Sequence, residues 1–305
     1  MFSRERLIVV EIAMKYTSGV ALVLLAGAFW STMGLAIRYI ETANVWQILF
    51  YRSIALSVFL LLLVCFTGRK SFLIVLYNTG LGGVVGGFGL VMAFAGGIFA
   101  IQNTTVANAM FLFAAAPFFA AFLGSVLLGE LVRKGTWVGM GLAIAGIFVM
   151  VWGGIEAGHL YGNLSGIVSA LGFAIFTVAL RWNRQEDMLP TVFFGGIFSA
   201  IISGIVCLFY QYSVNILLND ILIALSMGVF QVGAGLALYT IGSRVIPAAE
   251  LALLSMTEVL LGPLWVWVVL GEKGGIFTLV GGGILLTGVV SNAVSGIRRK
   301  PVPTV

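Results

Sequence analysis

Ten apolar runs, each at least 20 residues long, fill this chain almost end to end: 18–40, 44–67, 74–101, 104–128, 133–152, 162–182, 191–212, 216–241, 246–270 and 274–297. A bilayer's hydrocarbon, about 30 Å thick, is crossed by about 20 residues of helix. Inside it every backbone amide needs a partner within the protein. Long runs joined by short connections therefore specify spanning helices, whereas a barrel shows short segments of alternating polarity. Composition closes the alternative of a soluble particle. The 305 residues are 61% hydrophobic and 9% charged, against about a quarter charged in soluble domains. The sequence predicts an all-α integral membrane protein with ten transmembrane helices.

Charge sets the expected orientation. With the N-terminus inside, thirteen Lys and Arg fall on inside segments, from Arg4 to Lys300, while only Arg38 and Lys273 fall outside. Cytoplasmic loops carry such an excess, so both termini are expected in the cytoplasm. The net charge of +5 is then a topology signal, and no nucleic acid partner is expected. The opening stretch, MFSRERLIVVEIAMKY, is broken by Glu11 and Lys15 and lacks a small-residue cleavage site. It is expected to stay uncleaved, the first span serving for insertion. Cys65 and Cys207 each lie inside an apolar run with no paired spacing, which predicts core thiols, no disulfide and no metal or other cofactor.

The chain repeats itself. LGELVRKGTWVGMGLAIAG from Leu128 aligns with LGEKGGIFTLVGGGILLTG from Leu270, bringing Gly139, Gly141 and Gly146 onto Gly281, Gly283 and Gly288. AIRY at 36–39 aligns with ALRW at 179–182, and LFYRS at 49–53 with VFFGG at 192–196. The near-constant shift marks two copies of one five-helix unit. Five is odd, so the second copy enters the membrane from the opposite side, an inverted repeat of the kind secondary transporters use. The expected organisation is a cytoplasmic segment 1–17, a first five-helix repeat 18–152, a second, inverted repeat 162–297, and a cytoplasmic basic tail 298–305.

AFWSTMGLAIRY in the first helix, FYRS in the second, PAAELALLSMTEVLLGPLWVWVVLGE near the end and the two Leu-Gly-Glu motifs resemble the drug/metabolite transporter superfamily, more narrowly the bacterial EamA family of permeases. The resemblance covers nearly the whole chain. It implies alternating access in a bacterial inner membrane, with spans one to four and six to nine around a cavity and five and ten peripheral. It implies a small-molecule substrate, an amino acid or related compound foremost, and export. Import or exchange is the alternative, a channel or scaffold a more distant one. A proton as coupling ion and a homodimer stay open. Pro117 stands where the family carries a proline, whereas Pro263 lies four positions later than strict register places it.

Polar residues in oil mark the candidate site. Glu258 sits mid-span, and Arg52 is the one basic residue deep in a span; a charge at the bilayer centre costs about 2.5–3.5 kcal/mol on insertion scales. At 1.5 Å per residue the two lie roughly 12 and 18 Å below the outer ends of their spans, depths that permit pairing. Three readings stand: a structural ion pair or local bonding, a water-filled cavity binding substrate, and a proton carrier at Glu258. Glu250, eight residues before Glu258, lies about 80° from it around a helix. Both therefore border one cavity, or Glu250 is an interfacial cap reaching headgroups or Arg244. Its counterpart in the first repeat is Asn108. Trp30, Tyr51 beside Arg52, Gln231 and Tyr239 complete the candidates. Glu130 and Glu272 are expected to cap the helices that follow them. In the third span, Gly82/Gly86 and Gly83/Gly87 form ridges for close helix approach.

An enzyme is not expected. His159 is the lone histidine and falls in a loop, and Asp187 and Asp220 are also placed at loops. No Gly-x-Ser-x-Gly, His-Glu-x-x-His or P-loop occurs.

Overall fold

The computed structural model describes residues 4–66, 72–156, 158–183, 188–246 and 248–297. Arg69, Lys70, Arg184, Asp187 and the basic tail lie outside them, as does the side chain of Cys65. The described residues form helices and no strand. Ten are long and apolar enough to span: α1 Tyr16–Arg38, α2 Val45–Leu63, α3 Thr79–Asn103, α4 Val106–Leu128, α5 Lys134–Ile155, α6 Leu160–Trp182, α7 Leu189–Phe209, α8 Leu218–Val245, α9 Leu253–Leu270 and α10 Ile276–Val294. The helix carrying α9 begins at Ala248. Each span falls within a few residues of its apolar run, because a long run in hydrocarbon has no alternative to helix. The protein is a multi-pass membrane protein.

Helix packing is matched between the halves. α6 packs on α3 and α4, and its counterpart α1 packs on α8 and α9. Between these bundles α2 lies on α7 and α5 on α10. Exchanging the halves maps one bundle onto the other and leaves the two intervening pairs unchanged. Five spans separate counterparts, so Arg38, ending α1, and Arg181, ending α6, fall at opposite ends of the molecule. These ends are called here the Arg38 side and the Arg181 side.

Glycine fixes how closely helices meet. A Cβ on Gly89 would lie 2.7 Å from the Gly172 carbonyl, and one on Gly172 would lie 2.6 Å from that of Gly89, so α3 and α6 touch backbone to backbone. Three of the four ridge glycines meet residues beyond their own helix, while the nearest neighbour of Gly83 is Thr79 of the same helix. Gly82 abuts Asn183, Gly86 abuts Thr191 and Gly87 abuts Phe194 and Phe198.

Helix ends explain the repeated Leu-Gly-Glu. Gly129 and Gly271 adopt φ of 69° and 70°, a left-handed conformation that suits glycine at a helix C-terminus. The amide of Glu130 then donates to Gly124 O at 3.2 Å and that of Glu272 to Val266 O at 3.2 Å. The prolines differ. Pro117 follows a turn at Ala114 and Ala115 and stands in the first turn of the helix that resumes at Ala116, whereas α9 continues through Pro263. Cys207 is a buried free thiol. Asp220 is not in a loop. It is fully buried in the first turn of α8 and accepts bonds from Glu41 N, Thr42 N, Thr42 Oγ1 and Ala43 N at 2.8–3.0 Å. A buried carboxylate is tolerated where hydrogen bonds replace its water. Here they fasten the α1–α2 connection to the second half.

Candidate functional site

The polar residues of the interior gather where α1, α2 and α8 meet. Part of α8, Met227–Ala234, is wound as a π-helix. That geometry is rare and recurs at functional sites. It carries Gly228 against neighbouring backbone, where a Cβ would sit 2.2 Å from Arg52 O, and just beyond it a Cβ on Gly235 would sit 2.5 Å from the Trp30 indole nitrogen. On the same stretch Gln231 is buried. Its amide nitrogen donates to Trp30 O at 3.5 Å, and its Oε1 has no partner. Trp30 and Tyr239 form an aromatic pair with centroids 5.2 Å apart. Tyr239 in turn approaches Ser255 of α9.

Arg52 is buried at 2% exposure. Its guanidinium lies over the ring of Phe94, 4.5 Å from the centroid, and its Nε and Nη1 have no hydrogen-bond partner. Glu258 is half-buried on α9, beside Gly27 of α1. No ion pair joins Arg52 to Glu258 among the described residues. The permitted pairing is therefore not made. Similar depth left the direction around each helix undetermined, and Arg52 lies over Phe94 of α3 while Glu258 stands beside α1.

Three other candidates lie elsewhere. Tyr51 donates to Val214 O at 2.5 Å in the α7–α8 connection, which places its hydroxyl at the Arg38 side. Asn108 is buried, donates to Thr104 Oγ1 and Asn163 Oδ1, and accepts from Thr278 Oγ1, so its amide is committed to α6 and α10. Its counterpart Glu250 accepts from the hydroxyl of Tyr16. Arg244 is not its partner.

The two ends of the molecule differ, and nothing in the sequence signals it. Arg38 donates to Glu272 through Nε at 2.7 Å and Nη2 at 3.2 Å, joining α1 to α9 within one bundle. The same pair grips the opposing bundle: Arg38 bonds Ile101 O and Thr104 O at 2.7 Å each, and Glu272 accepts from Val106 N at 2.7 Å. Glu272 thus caps a helix N-terminus, but that of α4 and not of α10. In the other half Arg181 pairs with Glu130 at 2.5 Å, joining α6 to α4, and among the described residues Glu130 makes no bond to the start of α5. The remaining bond of Arg181 goes to Ala120 O at 2.9 Å, within its own bundle. It makes no bond to Ser243 or Ile246, which occupy the positions corresponding to Ile101 and Thr104.

Burial follows the same division. Asn108, Ala109, Phe111 and Leu112 of α4 are buried, whereas the corresponding Glu250, Leu251, Leu253 and Leu254 on the α9 helix are half-buried. The bundles are bonded to each other at the Arg38 side, and the face of α9 toward the Arg181 side is less covered than its counterpart on α4.

The sequence matches the EamA-like transporter family over residues 17–152 and 160–293, one match per half. The chain belongs to the EamA-like transporter family. Eighteen chains of solved structures match it as well. One, described only as the crystal structure of a protein, is 17% identical, with a TM-score of 0.63 over 93% of this chain and 100% of the other; at that identity it supports the fold alone. No curated protein matches. For an EamA chain, the polar cluster on the π-helix and the unequal ends belong to a membrane transporter-like fold.

Proposed function

We propose that this protein is a secondary active transporter that moves a small metabolite by alternating access between two inverted repeats. One observation supports this above others. Equivalent ion pairs stand at both ends, yet only Arg38–Glu272 grips the opposing bundle, while Arg181–Glu130 stays within its own. Two copies of one unit in opposite orientations have two arrangements of comparable energy, each closing one end. The second arrangement follows by exchange of the halves: Arg181 grips the end of α8, and Arg38 releases α3 and α4.

The positive-inside excess places the Arg38 side outside the cell and both termini in the cytoplasm. In that orientation the cavity is reached from the cytoplasm, where an exporter loads. Export of amino acids or related compounds across the bacterial inner membrane is the direction and cargo the family resemblance favours. Glu258, half-buried beside the cavity, is the group placed to exchange a coupling proton. The test is flux in proteoliposomes of purified protein. Saturable uptake accelerated by substrate preloaded on the far side supports a carrier, and an ohmic current without counterflow refutes it.

A further inference from the structure

The interior where α2 faces α3 holds a buried cation whose hydrogen bonds are unmet. Arg52 is 2% exposed, and Nε and Nη1 of its guanidinium have no partner. The ring of Phe94 offers its π-face at 4.5 Å. A π-face attracts a cation but does not accept the in-plane N–H bonds of a guanidinium. Among the described residues the two arginine–carboxylate pairs lie at the ends of the molecule, and Glu258 makes no ion pair with Arg52. A buried cation left without acceptors is a large cost for a helix to carry, and such groups are found paired. The planar guanidinium matches carboxylate and phosphate oxygens in particular.

A second orphan points to the same ligand. Gln231 Oε1, on the π-helix that lies against the backbone of Arg52, is a buried acceptor with no donor. A molecule with an anionic oxygen group and an N–H or O–H donor has a group for each. The Trp30–Tyr239 pair, 5.2 Å between centroids, gives the rest of such a molecule an aromatic wall.

We propose that Arg52 is the anion-binding subsite of the transport cavity, so that the cargo bears a carboxylate or phosphate, with a donor group on Gln231. This rests on the transport reading above, and binding without flux separates the two. The experiment is equilibrium binding to purified protein in detergent with three probes: phenylacetate, its neutral isostere phenylacetamide, and inorganic phosphate. Wild type is expected to bind phenylacetate saturably and at least tenfold more tightly than phenylacetamide. Arg52→Gln is expected to lose at least tenfold for phenylacetate and nothing for phenylacetamide, with Arg52→Lys between. Displacement of phenylacetate by phosphate assigns the subsite to anionic oxygens in general, and no displacement assigns it to carboxylates. Equal affinity of wild type for the acid and the amide, undiminished phenylacetate binding by Arg52→Gln, or no saturable binding of either anion overturns the proposal. A measurement on wild type alone guards against a variant that does not fold. Phenylglyoxal modification of Arg52, mapped by mass spectrometry, should be slowed by phenylacetate and not by phenylacetamide, and equal rates overturn the proposal. Intact anion binding with no counterflow in liposomes instead refutes the transport reading and leaves the subsite standing.

Discussion

Neutralising Glu272 should open the Arg38 side. In this conformation its carboxylate accepts from Arg38 Nε, Arg38 Nη2 and Val106 N at 2.7, 3.2 and 2.7 Å. The bond from Val106 exists only while the bundles are together at this end, and the carboxylate holds Arg38 in place for Ile101 and Thr104. A hydrogen bond to a charged group contributes about 1.5–3 kcal/mol. The side chains of Arg38 and Glu272 are 25% and 20% exposed, so screening takes the figure to its lower end, and the glutamine carbonyl keeps one neutral bond. Glu272→Gln should therefore shift the equilibrium by about 1–2 kcal/mol, a factor of about 5–30 in the open population. The assay is alkylation of Ala109→Cys, a position 5% exposed on α4, in protein lacking Cys65 and Cys207. The rate should rise by that factor in Glu272→Gln and stay level or fall in Glu130→Gln. An unchanged rate in a well-folded Glu272→Gln protein would show that the grip on α4 does not hold this end closed.

Gly34→Ala should act in the same direction by sterics, since its Cβ would lie 2.3 Å from Val106 Cγ1 across the bundles; faster alkylation of Ala109→Cys without loss of secondary structure checks it. Asp220→Asn leaves four donors facing a neutral amide at a fully buried site, and should cost about 2–4 kcal/mol, read as a lower melting temperature in detergent. Glu258→Gln should abolish proton-driven flux while leaving counterflow in place, and equal loss of both modes would remove the proton from the scheme. Single cysteines at Glu156 and Arg69 test orientation: an impermeant maleimide outside intact cells should label position 156 and not 69, and the reverse pattern inverts the topology.

The spans and the repeat were legible because hydrocarbon leaves the backbone few choices and because Leu-Gly-Glu recurs at a fixed shift. The same motif signals a helix end but not half of an ion pair. Nothing local in the sequence says that Glu272 meets Arg38, 234 residues away. The sequence alone puts Asp220 in a loop, since a carboxylate at the edge of an apolar run has water as its default partner, and only the folded α1–α2 connection supplies the donors that bury it. The π-helix left no signal, since VFQVGAG satisfies the apolar pattern of an α-helix equally well. Arg52 and Glu258 were recognised as costly in oil, which is a statement about depth. Their bearing around each helix is set by packing of α2 on α7 and α1 on α9, and depth does not encode it. The inequality of the two ends comes from contacts between residues far apart in the chain, and the repeat, which gives both ends an Arg and a Glu, does not display it.

Alternating access is tested most directly by distance. Spin labels at Tyr39→Cys and Tyr161→Cys, exposed positions at the Arg38 side on opposite bundles, report the gap between α1 and α6 in lipid nanodiscs by double electron–electron resonance. The account predicts two distances in wild type, the shorter one dominant, with Glu272→Gln transferring population to the longer. A single distance, the same in both proteins, would contradict it.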